Sequence, residues 1–127
     1  MNDFVMNGYL WRIEFVDPYS PMLVDRTGNL RVATTDPGQL TIFLSADLRG
    51  EFLHTVLIHE LGHCVLFSFD LIDDIHRVVD PIYWYEVEEW VCNFIANYGK
   101  TIFQIARNFL GEDALYILPH ELERIIA

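Results

Sequence analysis

Between about Asp47 and Ser68 the chain follows a helical period yet is apolar on nearly every side, through Phe52, Leu53, Val56, Leu57, Leu61 and Val65 among others. A helix that is apolar all round has to be enclosed by other elements. The rest of the chain must therefore supply a sheet and further helices to cover it. Ser45 or Asp47 is placed to cap its start.

Upstream, the periodicity is that of strands. Residues 9–16 alternate, with Trp11, Ile13 and Phe15 on one side and Arg12 and Glu14 on the other. Met22–Val24 and Leu30–Ala33 flank a five-residue loop containing Gly28, which predicts a hairpin. Asp36-Pro37-Gly38 is turn chemistry, and Leu40–Leu44 is a further β-type run placed to serve as an edge strand. Downstream, Asp70–Asp80 reads as a polar connection. Asp80-Pro81 opens a helix expected to end at Gly99, Thr101–Gly111 a shorter one, and Pro119 a last amphipathic one. The expectation is an α+β single domain over residues 1–127: a small antiparallel sheet, the buried helix and three further helices.

Composition narrows the functions open to such a domain. With 8 Lys and Arg against 19 Asp and Glu, the formal charge is −11. Phosphate backbones and anionic lipid repel such a chain, so the partner expected is a protein, favourably a basic one, with no nucleic acid and no membrane. No apolar run is long enough to span a bilayer, and Met1-Asn2-Asp3-Phe4 lacks the basic start of a signal peptide. Two cysteines, Cys64 and Cys92, are too few for a disulfide scaffold and read as small core residues. A cytoplasmic setting is expected.

The apolar helix is interrupted at its centre by His59-Glu60-Leu61-Gly62-His63. Histidines at i and i+4 lie one above the other on a helical face, where both can bind one Zn²⁺. Glu60, turned about 100° from His59, flanks such an ion without ligating it and is placed as the general base. Unpaired polar groups in a buried helix would cost several kcal/mol, and a metal supplies the missing partner. Gly62, which costs about 1 kcal/mol relative to alanine in mid-helix, signals a close approach to the backbone.

A catalytic zinc needs a third protein ligand and an open fourth position. Glu86, Glu88, Glu89, His76 and His120 are candidates. The spacing Glu89-x-x-x-Asn93 favours Glu89, with Asn93 one turn on to hydrogen-bond a ligand imidazole. Glu88, with Cys92 one turn on, is expected to leave the metal alone. Tyr83, Tyr85 and His76 are near enough to the second motif to donate to an oxyanion. His54 lies off the ligand face, and His120 reads as part of a helix start.

Over roughly residues 40–100, the segment Thr55–His63 and the run Glu89, Cys92, Asn93, Ile95, Ala96 resemble the ImmA/IrrE-like family of gluzincin metallopeptidases. The ending Leu-Leu-x-Pro usual in that family's second motif is replaced here by Tyr98-Gly99-Lys100, and no helix-turn-helix is read in the chain. The resemblance implies a minimal zincin-like domain with one zinc per chain, held by His59, His63 and Glu89, with Glu60 catalytic. It also implies a substrate such as a repressor in a phage or mobile-element setting. The reading from another class is a non-catalytic, zinc-stabilised interaction module. The absence of cysteines at ligand spacing argues against it.

Overall fold

Asn7 and Gly8 both take left-handed backbone, with φ of 48° and 83°, and this two-residue turn folds β1 (Asp3–Met6) onto β2 (Tyr9–Val16). The structure, a computed structural model, describes residues 2–111. Two more strands, β3 (Ala33–Asp36) and β4 (Thr41–Ser45), complete a sheet of order β1-β2-β4-β3. β3 and β4 form an antiparallel hairpin across the Asp36-Pro37-Gly38 turn, whereas β4 runs parallel to β2 with Ile13 opposite Ile42. The sheet is mixed, not antiparallel. Side-chain alternation specifies which face a residue takes but not strand direction, so the parallel pairing has no signature in the pattern.

Two strand expectations are corrected. The run 40–44 is not an edge: β4 is buried at all five positions and flanked on both sides, and the edges are β1 and β3. The expected hairpin of Met22–Val24 with Leu30–Ala33 shrinks to one bridge, Val24 to Leu30. Pro21 opens a 3₁₀ turn capped by the Ser20 hydroxyl, and Asp25 Oδ1 accepts from the amides of Thr27 and Asn29, so the loop bonds to itself instead of forming a ladder.

The buried helix is α1 (Gly50–Ser68). From Thr55 to Phe69 no residue is exposed, and Val56 and Cys64 pack with Trp11, Ala33, Ile42 and Leu44 of the sheet. Trp11 is fully buried and donates its indole N–H to the Ser68 hydroxyl at 2.9 Å, which fixes the end of α1 on β2. Neither Ser45 nor Asp47 caps α1; they bond to each other, and Arg49 takes the cap position without a side-chain capping bond.

The stretch expected to be a connection contains α2 (Leu71–Val78), whose Leu71, Ile72 and Ile75 are half-buried at helical spacing while Asp73, Asp74 and His76 face water. Asp80 accepts from the Ile82 amide and opens a 3₁₀ turn at Pro81–Tyr83, as its sequence suggests. α3 (Trp84–Leu110) then passes through Gly99 without a break, since a mid-helix glycine costs less than ending the helix. The helix at Pro119 lies outside the described residues. Contacts group the residues up to Asn97 in one unit and those from Tyr98 onward in a second. Every residue of the site below belongs to the first. Among the described residues no single helix is long and apolar enough to cross a membrane.

The closeness signalled by Gly62 is met by Cys92 of α3. A Cβ at position 62 would lie 3.1 Å from Cys92 Sγ and 3.4 Å from its Cα. Overpacking of this kind costs about 1–3 kcal/mol, against about 1 kcal/mol gained in helix propensity. Gly62→Ala is therefore expected to cost more in the parent than in a Cys92→Ala background, a coupling that chemical denaturation of the four proteins measures.

Candidate metal centre

Cys92 marks the face of α3 that meets α1, and residues three and four positions before it share that face. They are Glu89 and Glu88, and α1 opposes them with His59 and His63 on either side of Gly62. Glu89 reaches both imidazoles: one oxygen lies 3.0 Å from His59 Nε2 and the other 3.3 Å from His63 Nε2. The two Nε2 atoms are 3.3 Å apart. Glu60 stands beside them, its Oε2 3.7 Å from His59 Nε2 and its Oε1 accepting from the Thr35 hydroxyl at 2.8 Å. The ligand atoms of His59, Glu60 and His63 lie within 4.8 Å of one another and are positioned to bind a metal ion. The cluster opens onto a groove of about 910 Å³ between β3, α1 and the start of α3.

The donor set is one that a metal ion can use. Four-coordinate zinc with bonds of about 2.0–2.1 Å places its ligand atoms about 3.3–3.4 Å apart along the tetrahedron's edges. The two imidazole nitrogens, 3.3 Å apart, are separated by such an edge, and the two oxygens of Glu89 lie one against each of them, 3.0 Å from His59 and 3.3 Å from His63. Two imidazoles and a carboxylate are also the nitrogen and oxygen donors zinc accepts.

The acids differ in how they are held. Burial works against charge on Glu89, but hydrogen bonds from His59 and His63 overcome it and hold the carboxyl well below the usual range. Glu60 goes the other way, because burial dominates and raises it against the pull of His63, Thr35 and His59. On His63 burial disfavours the charge, yet hydrogen bonds with Cys92, Glu88 and Glu89 prevail and keep the imidazole protonated well above its ordinary range.

Glu88 takes the position expected of Asn93. Its Oε1 lies 2.9 Å from His63 Nδ1, and its Oε2 pairs with Arg26 Nη2 at 2.9 Å. Asn93 lines the groove but is exposed, and among the described residues it bonds neither imidazole. The face turned to α1 is centred on Cys92 and not on Asn93, one residue and about 100° away. Thr35 and Arg26, which hold Glu60 and Glu88, were not singled out by sequence. Both lie more than twenty residues from their partners, and no local spacing connects them.

The other candidates fall outside the cluster. Glu86, His54 and Tyr83 are exposed, and His76 is stacked on Trp84 at 3.7 Å. Tyr85 lines the groove, its ring 4.7 Å from the Arg26 guanidinium carbon. His120 lies outside the described residues. No protein-family model and no curated protein matches the chain.

A metal must displace the proton that His63 carries in the metal-free protein. Uptake at neutral pH is therefore expected to release about one proton per ion, and affinity to weaken as pH falls. Calorimetry in buffers of different ionisation enthalpy measures the release. Asn93→Ala, by contrast, is expected to leave metal affinity unchanged in a chelator competition.

Proposed function

We propose that this chain is a zinc-dependent endopeptidase acting on a protein substrate, with His59, His63 and Glu89 as ligands and Glu60 as the general base. The observation that carries the reading is the pair of imidazole nitrogens 3.3 Å apart, faced by the two oxygens of Glu89 and flanked by Glu60, beside an open groove. A zinc ion bound there supplies a Lewis acid for the scissile carbonyl and lowers the pKa of a water in the open position. Glu60, made more basic by burial, is suited to take a proton from the attacking water and return it to the leaving amine. Thr35 restrains one oxygen of that carboxylate and leaves the other on the side of His59. Glu88 accepts from His63 Nδ1 and so leaves Nε2 as the ligand atom.

An extended peptide finds its partner in β3. In the antiparallel ladder with β4, Val32 bonds inward to Ser45, and Thr34 and Asp36 follow in the same phase. The amides and carbonyls of Ala33 and Thr35 therefore face the free edge, beside the groove, where strand addition can use them. Membership of the ImmA/IrrE-like gluzincins, a regulatory or repressor-type substrate in a phage or mobile-element setting, and a cytoplasmic site of action are parts of the same proposal. The formal charge of −11 favours a basic substrate.

Protein expressed with zinc is expected to hold one ion per chain and to cleave members of a peptide library. Glu60→Gln is expected to keep the ion and lose about 10²–10⁴-fold in turnover. Metal analysis and mass spectrometry of the library read both. A chain that takes up no zinc overturns the reading, and one that holds zinc but cleaves nothing is the interaction module instead.

A further inference from the structure

Glu88 is a buried carboxylate gripped from both ends. A carboxylate only accepts, so His63 Nδ1 donates to Oε1 at 2.9 Å, while Arg26 donates to Oε2 at 2.9 Å. Arg26 belongs to the loop between Val24 and Leu30, which is closed by their bridge. Asp25 ties that loop together. Its Oδ1 accepts from the Thr27 amide and hydroxyl and the Asn29 amide, and its Oδ2 from Arg31 Nε at 2.6 Å. The Tyr85 ring supports the guanidinium from α3, 4.7 Å below it. The loop thus presents Arg26 to Glu88 in one orientation.

We infer that Arg26 is a positioning residue of the metal centre: through Glu88 it fixes the rotation of the His63 ring, so that Nε2 stays aimed at the point shared by His59 and Glu89. The inference rests on the reading of this cluster as a metal site. Without Arg26 the second oxygen of Glu88 loses its charged partner, and the carboxylate is free to turn about its last torsion. The His63 ring then loses its fixed abutment. Arg26 also offsets the charge of Glu88, so that the pair adds no net negative charge beside Glu60 and Glu89.

The test compares zinc affinity, by competition with a chromophoric chelator, in the parent, Arg26→Ala, Arg26→Lys, Glu88→Gln and the Arg26→Ala/Glu88→Gln double variant. Arg26→Ala is expected to weaken zinc about tenfold, the lower end of the range for residues that orient a ligand. Arg26→Lys should restore most of the loss. The double variant should bind no more weakly than Glu88→Gln alone, because the effect passes through Glu88. The visible bands of the cobalt(II)-loaded protein should shift in Arg26→Ala, which a general loss of stability would not cause. Arg26 is 58% exposed, so its replacement is tolerable to the fold, and Arg26→Gln serves should the alanine variant not fold. Unchanged zinc affinity and unchanged cobalt(II) bands in a metal-binding Arg26 variant, or losses that add in the double variant, overturn the role of Arg26 alone. A parent that takes up no zinc overturns the metal reading and this inference with it.

Discussion

The approach of α1 and α3 at Gly62 and Cys92 is the constraint on which the site depends. Cys92 is fully buried against a glycine that has no side chain to hold it off. Only at that separation can glutamates on one helix reach histidines on the other at 2.9–3.3 Å. Ala96, one turn beyond Cys92 and also buried, keeps the same face small. The large side chains of α3 turn elsewhere, with Trp90 and Phe94 stacked on each other and exposed. The acids are thus not incidental to the packing: the small residues that allow close contact and the carboxylates that use it lie at i, i+3 and i+4 along one stripe.

That contact changes the account of why a helix so apolar tolerates His-Glu-x-x-His. A metal is one way to satisfy those groups, but among the described residues no buried side-chain nitrogen or oxygen lacks a partner even without one. His59, His63, Glu60, Glu88, Glu89, Thr35 and Arg26 form one connected network. Burial alone therefore does not demand an ion. What favours a metal is geometry: two imidazole nitrogens lie 3.3 Å apart, with the Glu89 carboxylate bridging them and Glu60 beside them. Protons can populate such a cluster, and an ion can replace them.

What the sequence makes legible is what has a short period. The helix around His59 and His63, the strand 9–16, the cap at Asp80 and the close approach at Gly62 follow from spacings of two to four residues. β1 also had such a sign, since Asn7-Gly8 between apolar residues is a hairpin turn. What stayed hidden is long-range. The parallel pairing of β2 with β4, the assignment of β3 to the free edge, and the pairs Thr35–Glu60 and Arg26–Glu88 join residues that no local pattern relates. The second motif shows the boundary between the two cases. Glu89 faces both imidazoles, but rotating the helix face by one residue exchanges Asn93 for Glu88 as the partner of His63. Only the position of Cys92 against Gly62 fixes that rotation.

Glu60 and Glu89 share one cluster but are held in opposite protonation tendencies, and this separation bears on the roles proposed for them. Glu89 receives hydrogen bonds from two imidazoles, so its negative charge is stabilised and its affinity for a proton falls. Such a carboxylate suits a ligand, which must stay ionised to hold a cation. Glu60 is more deeply buried, and its nearest imidazole nitrogen is 3.7 Å away. The Thr35 hydroxyl offsets only part of the desolvation, so its proton affinity rises. Such a carboxylate suits a base, which must accept a proton and later release it. Pairs of titratable groups driven apart by their surroundings are how a site divides acid–base work between chemically identical side chains. Here the difference in proton affinity follows from which helix each glutamate is on: Glu60 shares α1 with the histidines, turned about 100° from His59 and about 60° from His63, while Glu89 meets them from α3.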